Sequence, residues 1–236
     1  MAKAKARSRS RVSFVVLAVL VMTGFASGQM GGGGAALTER VAENSRKLKQ
    51  YTYRQTTQVY LGGELRKSQV AQVHYDSSGQ KIVIPQESHD DQQTEAPGRR
   101  RLGGRIVAKK IEEKKDEMKE YVERLVGLME QYLPPNPERL KAAAPNAQTS
   151  MSESGDAKIA LKGYLKPGDM MTLAVDPSNK QLNQIVINSR LDEDPVSFVV
   201  NFARLKDGTN YPSLTTVQSP AKQLELRVIT SDYYRN

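Results

Sequence analysis

Cysteine is absent from the chain. Without a thiol the protein can form no disulfide and no thiolate metal site, and it can neither use a cysteine nucleophile nor carry a lipid on a cysteine. An exported domain that lacks disulfides depends on buried apolar surface, and roughly 200 residues in one domain can supply it. We therefore expect a fold held together by an ordinary hydrophobic core.

Histidine is scarce, and the motifs of common enzymes are missing. The two histidines, His74 and His89, match no known spacing of metal ligands, so we predict no metal site. Ser88-His89-Asp90 contains the residue types of a hydrolytic triad, but neighbours in an extended segment cannot converge on one substrate atom. The chain also has no nucleophile elbow, phosphate-binding glycine loop or dinucleotide fingerprint. We predict a non-enzymatic protein without a cofactor.

The first 28 residues have the three parts of a secretory signal peptide. Five lysines and arginines come first, an apolar run follows over residues 12–22, and the small residues of 23–28 come last. The apolar run is about half the roughly 20 residues that a membrane-spanning helix needs. We predict cleavage near Gly28-Gln29, export by the general secretory route, and a location in the periplasm or cell envelope.

This leader accounts for much of the basic character of the chain. It carries five of the 35 lysines and arginines, so its removal leaves 30 against 26 acidic residues and lowers the net charge from +9 to +4. The remaining excess is small and dispersed, and the predicted compartment holds no nucleic acid. We therefore predict no nucleic-acid partner.

Three segments have the pattern of helices. A flexible glycine-rich leader is expected at 29–36, and a single domain from 37 to 236. This domain opens with an amphipathic helix at 37–50. A long helix is predicted at 105–133 and a short one at 137–144. The apolar stripe of the long helix consists of Val107, Ile111, Met118, Val122, Leu125, Met129 and Tyr132.

Most of the remaining chain has the pattern of short strands joined by tight turns, which favours an antiparallel meander. Polar segments at 87–104 and 147–156 are predicted to be loops, the first of them mobile and basic. The sequence thus predicts an α+β domain with an antiparallel sheet of roughly nine strands, one long helix and two short ones. The predicted strands are 51–61, 70–75, 82–84, 158–165, 170–176, 181–190, 196–205, 211–218 and 223–233.

This order of elements, together with the Leu-x-x-Tyr-x-Tyr-x-Gln stretch at 48–55, resembles periplasmic lipoprotein carriers of the LolA and LppX type. The resemblance covers nearly all of the chain after the leader. It implies a strongly curved, half-barrel-like sheet with helices across its mouth, and an apolar space that holds acyl chains. It assigns no residue of this chain to a cargo.

Two sets of residues are candidate sites. The first is an apolar row on the sheet, which is either core beneath the long helix or the wall of a lipid cavity. The second is a cluster of arginines, which either meets anionic lipid head groups or is a solvated basic loop. The row consists of Leu173, Val175, Phe198, Val200 and Phe202, and the cluster of Arg99, Arg100, Arg101 and Arg105.

Two hypotheses of function follow from these sites. The first is an exported binding protein of the cell envelope that holds an apolar or lipid-like ligand against a curved sheet. The alternative is a structural or interaction protein without a ligand cavity, which docks to a membrane or protein partner through its basic loop and charged helix. The sequence does not distinguish between oligomeric states.

The arginine cluster leads to a prediction about membrane contact. The protein without its leader is expected to float with anionic vesicles, but not with zwitterionic vesicles, at low salt, because cationic side chains are attracted to an anionic surface within a Debye length. Density-gradient flotation measures the difference. Equal behaviour with both kinds of vesicle would rule out this role for the arginines.

Overall fold

The computed structural model describes residues 33–90 and 104–235. The predicted signal peptide, the start of the glycine-rich leader and Arg99, Arg100 and Arg101 lie outside the described residues, so their roles stay predictions. Arg105 lies in the first turn of the long helix.

The described residues contain three α-helices: α1 (Gly33–Leu48), α2 (Gly104–Tyr132) and α3 (Pro137–Ala143). Helix α1 begins four residues before the predicted start. The glycines concealed this first turn in the sequence, because glycine is a poor helix former, although it can adopt helical dihedral angles. The Asn136 side chain caps α3 by accepting the backbone N–H groups of Glu138 (2.9 Å) and Arg139 (3.1 Å). None of the helices described is long and apolar enough to cross a bilayer.

Ten strands form one antiparallel sheet with the order β3-β2-β1-β10-β9-β8-β7-β6-β5-β4. Because β1 pairs with β10, the N-terminal hairpins and the C-terminal meander belong to the same curved sheet. The predicted α+β class, with one long helix and two short ones, is confirmed. The strands are β1 (Tyr51–Leu61), β2 (Glu64–Tyr75), β3 (Lys81–Asp90), β4 (Gln148–Met151), β5 (Ala157–Lys162), β6 (Met170–Val175), β7 (Leu182–Leu191), β8 (Asp194–Arg204), β9 (Asn210–Ser219) and β10 (Leu224–Arg235).

Strand β3 corrects the predicted loop at 87–104, because residues 87–90 belong to the strand. Glu87 pairs with Val70 and His89 with Ser68 on β2, after a register shift that follows the Ala71–Pro85 pair. Proline lacks an N–H, and its place here on an edge strand beside an irregularity is the one that a sheet tolerates. The polar side chains of residues 87–90 carry no apolar alternation, so the sequence did not predict this part of the strand, which backbone hydrogen bonds to β2 hold in place.

Strand β4 corrects the predicted loop at 147–156. Its four residues, Gln148 to Met151, are all exposed and pair only with β5, at the second edge of the sheet. No face of such a strand is buried, so its sequence carries no apolar alternation. The described sheet therefore has ten strands where roughly nine were predicted.

The core lies between α2 and the inner face of the sheet. Two side chains of α2, Leu125 and Tyr132, are fully buried. On β8, Phe198 is fully buried and Val200 is 1% exposed. The hydroxyl of Tyr132 donates a hydrogen bond to the Asp169 carboxylate, and its oxygen lies 3.0 Å from the Ser189 hydroxyl, which can donate to it. Burial, and then the Asp169 carboxylate, raises the pKa of Tyr132. This buried network holds the last turn of α2 against the sheet.

Removing the Leu125 side chain should leave a cavity under α2. Leu125→Ala is expected to lower the free energy of unfolding by about 2–5 kcal/mol, because the packed core cannot collapse fully around the missing atoms. The matched control is Leu65→Ala on β2, where the leucine is 40% exposed, and it should cost less than about 0.5 kcal/mol. Urea denaturation measures both, and equal effects would contradict this arrangement of the core.

A polar contact joins the start of β1 to the turn between β8 and β9. The Tyr51 hydroxyl donates to the Asp207 carboxylate (2.7 Å), which also accepts the Thr209 N–H (2.9 Å) and lies 3.8 Å from the Arg235 guanidinium. These hydrogen bonds, that of Tyr51 above all, lower the pKa of Asp207 to about 2. The turn is thereby fixed beside the start of β1 and the end of β10.

This contact makes part of the stability depend on pH. The pKa of an aspartate in an unfolded chain is about 3.9, so its lower value in the folded state stabilises the fold above about pH 4, and this contribution is lost as the pH falls through about 2. The difference in unfolding free energy between the wild type and Asp207→Asn should be below about 1 kcal/mol, because the carboxylate is partly exposed. Urea titrations should show this free-energy difference shrinking as the pH falls toward 2, whereas a constant difference would contradict the contribution assigned to the Asp207 carboxylate.

Candidate functional site

A cavity of about 590 Å³ lies between α1, the end of α2 and the inner face of the sheet. Small-molecule sites in proteins typically measure roughly 300–1,000 Å³, so the cavity has the size of a ligand site. It exists because the two helices cross this end of the sheet without filling the space beneath them.

The floor of the cavity is apolar and comes from neighbouring strands. Thr215 of β9 pairs with Val200 on one side and with Val228 on the other, so the three side chains lie in one row across β8, β9 and β10. Phe202 follows two residues after Val200 on the same face of β8, and Leu182 adds the start of β7. Strand alternation thus supplies a continuous hydrophobic surface.

Three tyrosines form an aromatic wall. Tyr53 and Tyr233 stack with their ring centroids 4.8 Å apart, at a register shift between β1 and β10. A side-chain hydrogen bond joins the hydroxyls of Tyr53 and Tyr75 on β2. Burial raises the pKa of all three phenols, with neighbouring tyrosines adding to the effect at Tyr53 and Tyr233. The wall therefore presents neutral aromatic surface at physiological pH.

Helix α1 covers the cavity, and hydrogen bonds in its second half hold it against the sheet. The Asn44 amide donates to the backbone carbonyl of Asn210 (2.5 Å) and accepts the Asn210 N–H (2.7 Å), which is a two-bond contact with the first residue of β9. Val41, on the same helix, faces the cavity. Met129 of α2 closes the other side, together with Leu133, Pro134 and Pro135, which follow the helix.

Charged side chains surround the entrance. Glu43 of α1 forms ion pairs with Lys47 (2.8 Å) and Arg40 (3.6 Å). The Lys81 ammonium donates to the Gln55 amide oxygen (3.4 Å). The charged residues that line the cavity are Arg40, Glu43, Lys47, Lys49, Lys81, Glu130 and Lys180. An apolar interior with a charged entrance suits a molecule that has both an apolar and a polar part.

The structure divides the predicted apolar row in two. Val200 and Phe202 line the cavity, and the buried Val200 also belongs to the packed core. Leu173, Val175 and Phe198 belong to the packed core, where the Phe198 ring lies 5.8 Å from the ring of Tyr132. The row therefore runs from the packed core to the edge of the cavity, and Val200 belongs to both. That any of the five residues contacts a ligand stays a prediction.

Sequence reasoning did not identify the aromatic wall. Tyr53 and Gln55 lie in the stretch that carries the family resemblance, and Leu48 at its start also lines the cavity. Their spacing was visible in the sequence, but Tyr233 lies 180 residues further along the chain. Nothing local to either segment indicates that the two rings stack.

Other parts of the described structure offer weaker sites. A hollow of about 470 Å³ lies beside the β1–β2 and β9–β10 turns, with polar lining residues that include Gln218, Glu225 and Arg227. Among residues 33–90 and 104–235, no group of three or more histidine, aspartate or glutamate side chains is placed to hold a metal. The cavity under α1 is therefore the best candidate site.

No protein-family model and no curated protein sequence matches the chain. Among solved structures, a DUF1329 family protein from Desulfovibrio piger is similar, with a TM-score of 0.44 and 8% identity over 86% of this chain and 92% of that one. A LolA superfamily protein from Nitrosomonas europaea gives a TM-score of 0.39 and 10% identity over 84% of this chain and 93% of that one.

A domain assigned to outer membrane lipoprotein sorting, from Vibrio parahaemolyticus, gives a TM-score of 0.33 and 8% identity over 84% of this chain and 92% of that one. Proteins of the LolA type are thus among the solved structures that this chain resembles, as the order of its elements predicts. TM-scores below 0.5 at such identities do not indicate what the chain binds. Its function must be argued from the cavity.

Proposed function

We propose that this protein is a non-enzymatic binding protein of the cell envelope, which holds the apolar chain of a lipid-like ligand between α1 and the inner face of the sheet. The observation that carries the proposal is the cavity, with its apolar floor, neutral tyrosine wall and charged entrance. The envelope location rests on the signal-peptide pattern of the first 28 residues.

The magnitude of apolar burial explains why an enclosed site is needed. Each buried CH₂ group contributes about 0.8 kcal/mol, so a medium-length alkyl chain gains on the order of 10 kcal/mol when it is fully buried. Association costs roughly 4–15 kcal/mol in lost freedom. A chain lying on an open surface would bury too little area to offset that cost, whereas a cavity between helix and sheet surrounds it.

The polar groups in the wall support binding over catalysis. The Tyr53 hydroxyl is engaged with Tyr75, and the Tyr233 hydroxyl donates to the Thr230 hydroxyl (3.0 Å). Their raised pKa values make these phenols poor general bases at neutral pH. These interactions hold the rings in place and leave aromatic surface facing the cavity.

A tryptophan at Val228 should fill the cavity and block binding. The neutral fluorescent probe N-phenyl-1-naphthylamine should bind saturably to the wild type, and Val228→Trp should weaken that binding by about tenfold or more, because the larger ring occupies the floor. Fluorescence titration of the protein without its leader measures the effect. The chain has no tryptophan of its own, so the introduced ring also reports its surroundings by its emission.

The matched control is Ile229→Trp. Ile229 is the next residue on β10, where it is 37% exposed on the opposite face of the strand. This variant should bind the probe as the wild type does, and far-UV circular dichroism should show both variants folded. Wild-type protein that shows no saturable binding, together with protein purified from its own envelope that carries no lipid in native mass spectrometry, would overturn the proposal.

A further inference from the structure

Two lysines stand at one side of the cavity entrance, on segments that are far apart in sequence. Lys49 directly follows α1, and its ammonium lies 6.0 Å from the centroid of the Tyr75 ring. Lys81 begins β3, and its ammonium reaches Gln55 on β1 at 3.4 Å. Both lysines line the cavity. Their positive charges therefore stand beside the tyrosine wall, where a chain in the cavity would end.

The turn between β2 and β3 leaves room for this arrangement. Gly79, two residues before Lys81, has φ of +80°, a conformation that favours glycine. A Cβ at this position would lie 3.3 Å from the Lys49 ammonium. A larger residue would be strained at this φ and would contact the end of the Lys49 side chain, so Lys49 lies beside the turn that leads into Lys81.

These two cations differ from Arg40 and Lys47, which are paired with Glu43. Lys47 is paired with Glu43 at 2.8 Å, and the Lys180 ammonium donates to the Pro177 carbonyl at 2.7 Å. Among the side chains that the structure describes, no carboxylate lies within 4.0 Å of Lys49 or Lys81. An anion could therefore bind at these two lysines without displacing an ion pair.

The surroundings of Lys81 favour an incoming anion. The protein around its side chain displaces water and lowers the pKa of its amine, while the Glu130 carboxylate acts in the opposite direction. Because Lys81 is exposed, a negatively charged group can reach the ammonium and accept a charge-assisted hydrogen bond from it. A neutral head group would do this less well, and a cationic one would be repelled.

We infer that the cavity is selective for amphiphiles with an anionic head group, a carboxylate or a phosphate held by Lys49 and Lys81 while the alkyl chain lies along the tyrosine wall. This inference rests on the proposed function, because it names the class of ligand for the same cavity. Charge-assisted hydrogen bonds from the two ammonium groups supply the selectivity. The apolar floor contributes the same binding free energy to every ligand with an alkyl chain of the same length, whatever its head group.

Displacement of bound N-phenyl-1-naphthylamine by dodecanoate, dodecyl phosphate and monododecanoylglycerol, below their micellar concentrations, tests the inference. In the wild type, at least one anion should displace the probe at about tenfold lower concentration than the neutral glyceride, given the strength of charge-assisted hydrogen bonds. The two anions distinguish a carboxylate site from a phosphate site. In Lys49→Gln/Lys81→Gln the anions and the neutral glyceride should displace the probe at the same concentration, so that the preference is lost.

The control variant is Lys158→Gln/Lys162→Gln, which removes the same charge from exposed positions on β5 that do not line the cavity. It should keep the preference for anions. If it loses the preference as the first variant does, or if the first variant keeps it, the selectivity does not come from Lys49 and Lys81. Equal wild-type affinity for anions and the glyceride overturns this inference but leaves the proposed function intact, whereas no binding of probe or amphiphile overturns the proposed function itself.

Discussion

The pairing of β1 with β10 is the constraint on which the rest of the structure depends. It joins the first strand of the domain to the last, so that ten strands share one sheet and one inner face. The irregularity in this pair stacks Tyr53 against Tyr233, and the neighbouring contact of Tyr51 with Asp207 fixes the β8–β9 turn. Without this pairing, the tyrosine wall and the apolar floor would not belong to the same cavity.

The length of α2 then decides which part of the inner face is core and which part is cavity. Its last residue, Tyr132, is anchored to Asp169 and Ser189 and packs close to Phe198. The helix ends at that point, before Pro134 and Pro135. Val200, two residues beyond Phe198 on β8, therefore borders the open space beneath α1. The cavity is the part of the inner face that α2 does not cover.

Elements with a buried face could be predicted from the sequence, and elements held only by backbone pairing could not. The periodic apolar residues of α2 and the alternation along β8 and β10 located these elements to within two or three residues. Strand β4 and the second half of β3 lie at the sheet edges with polar side chains. Backbone hydrogen bonds hold them and require no apolar alternation, so the sequence shows no strand pattern there. The same reason explains why residues 87–90 were predicted to be a loop.

The sequence by itself determined the α+β class, the antiparallel meander and the dependence on a hydrophobic core without disulfides, because periodicity, turn residues and composition are local properties. Only the tertiary structure decided the site. It placed Val200 at the boundary between core and cavity, stacked Tyr53 on Tyr233, and brought Lys49 and Lys81 to the lining of one cavity. These relations join residues that are distant in the chain or that share one alternation pattern, so the packing of α1 and α2 on the sheet was needed to reveal them.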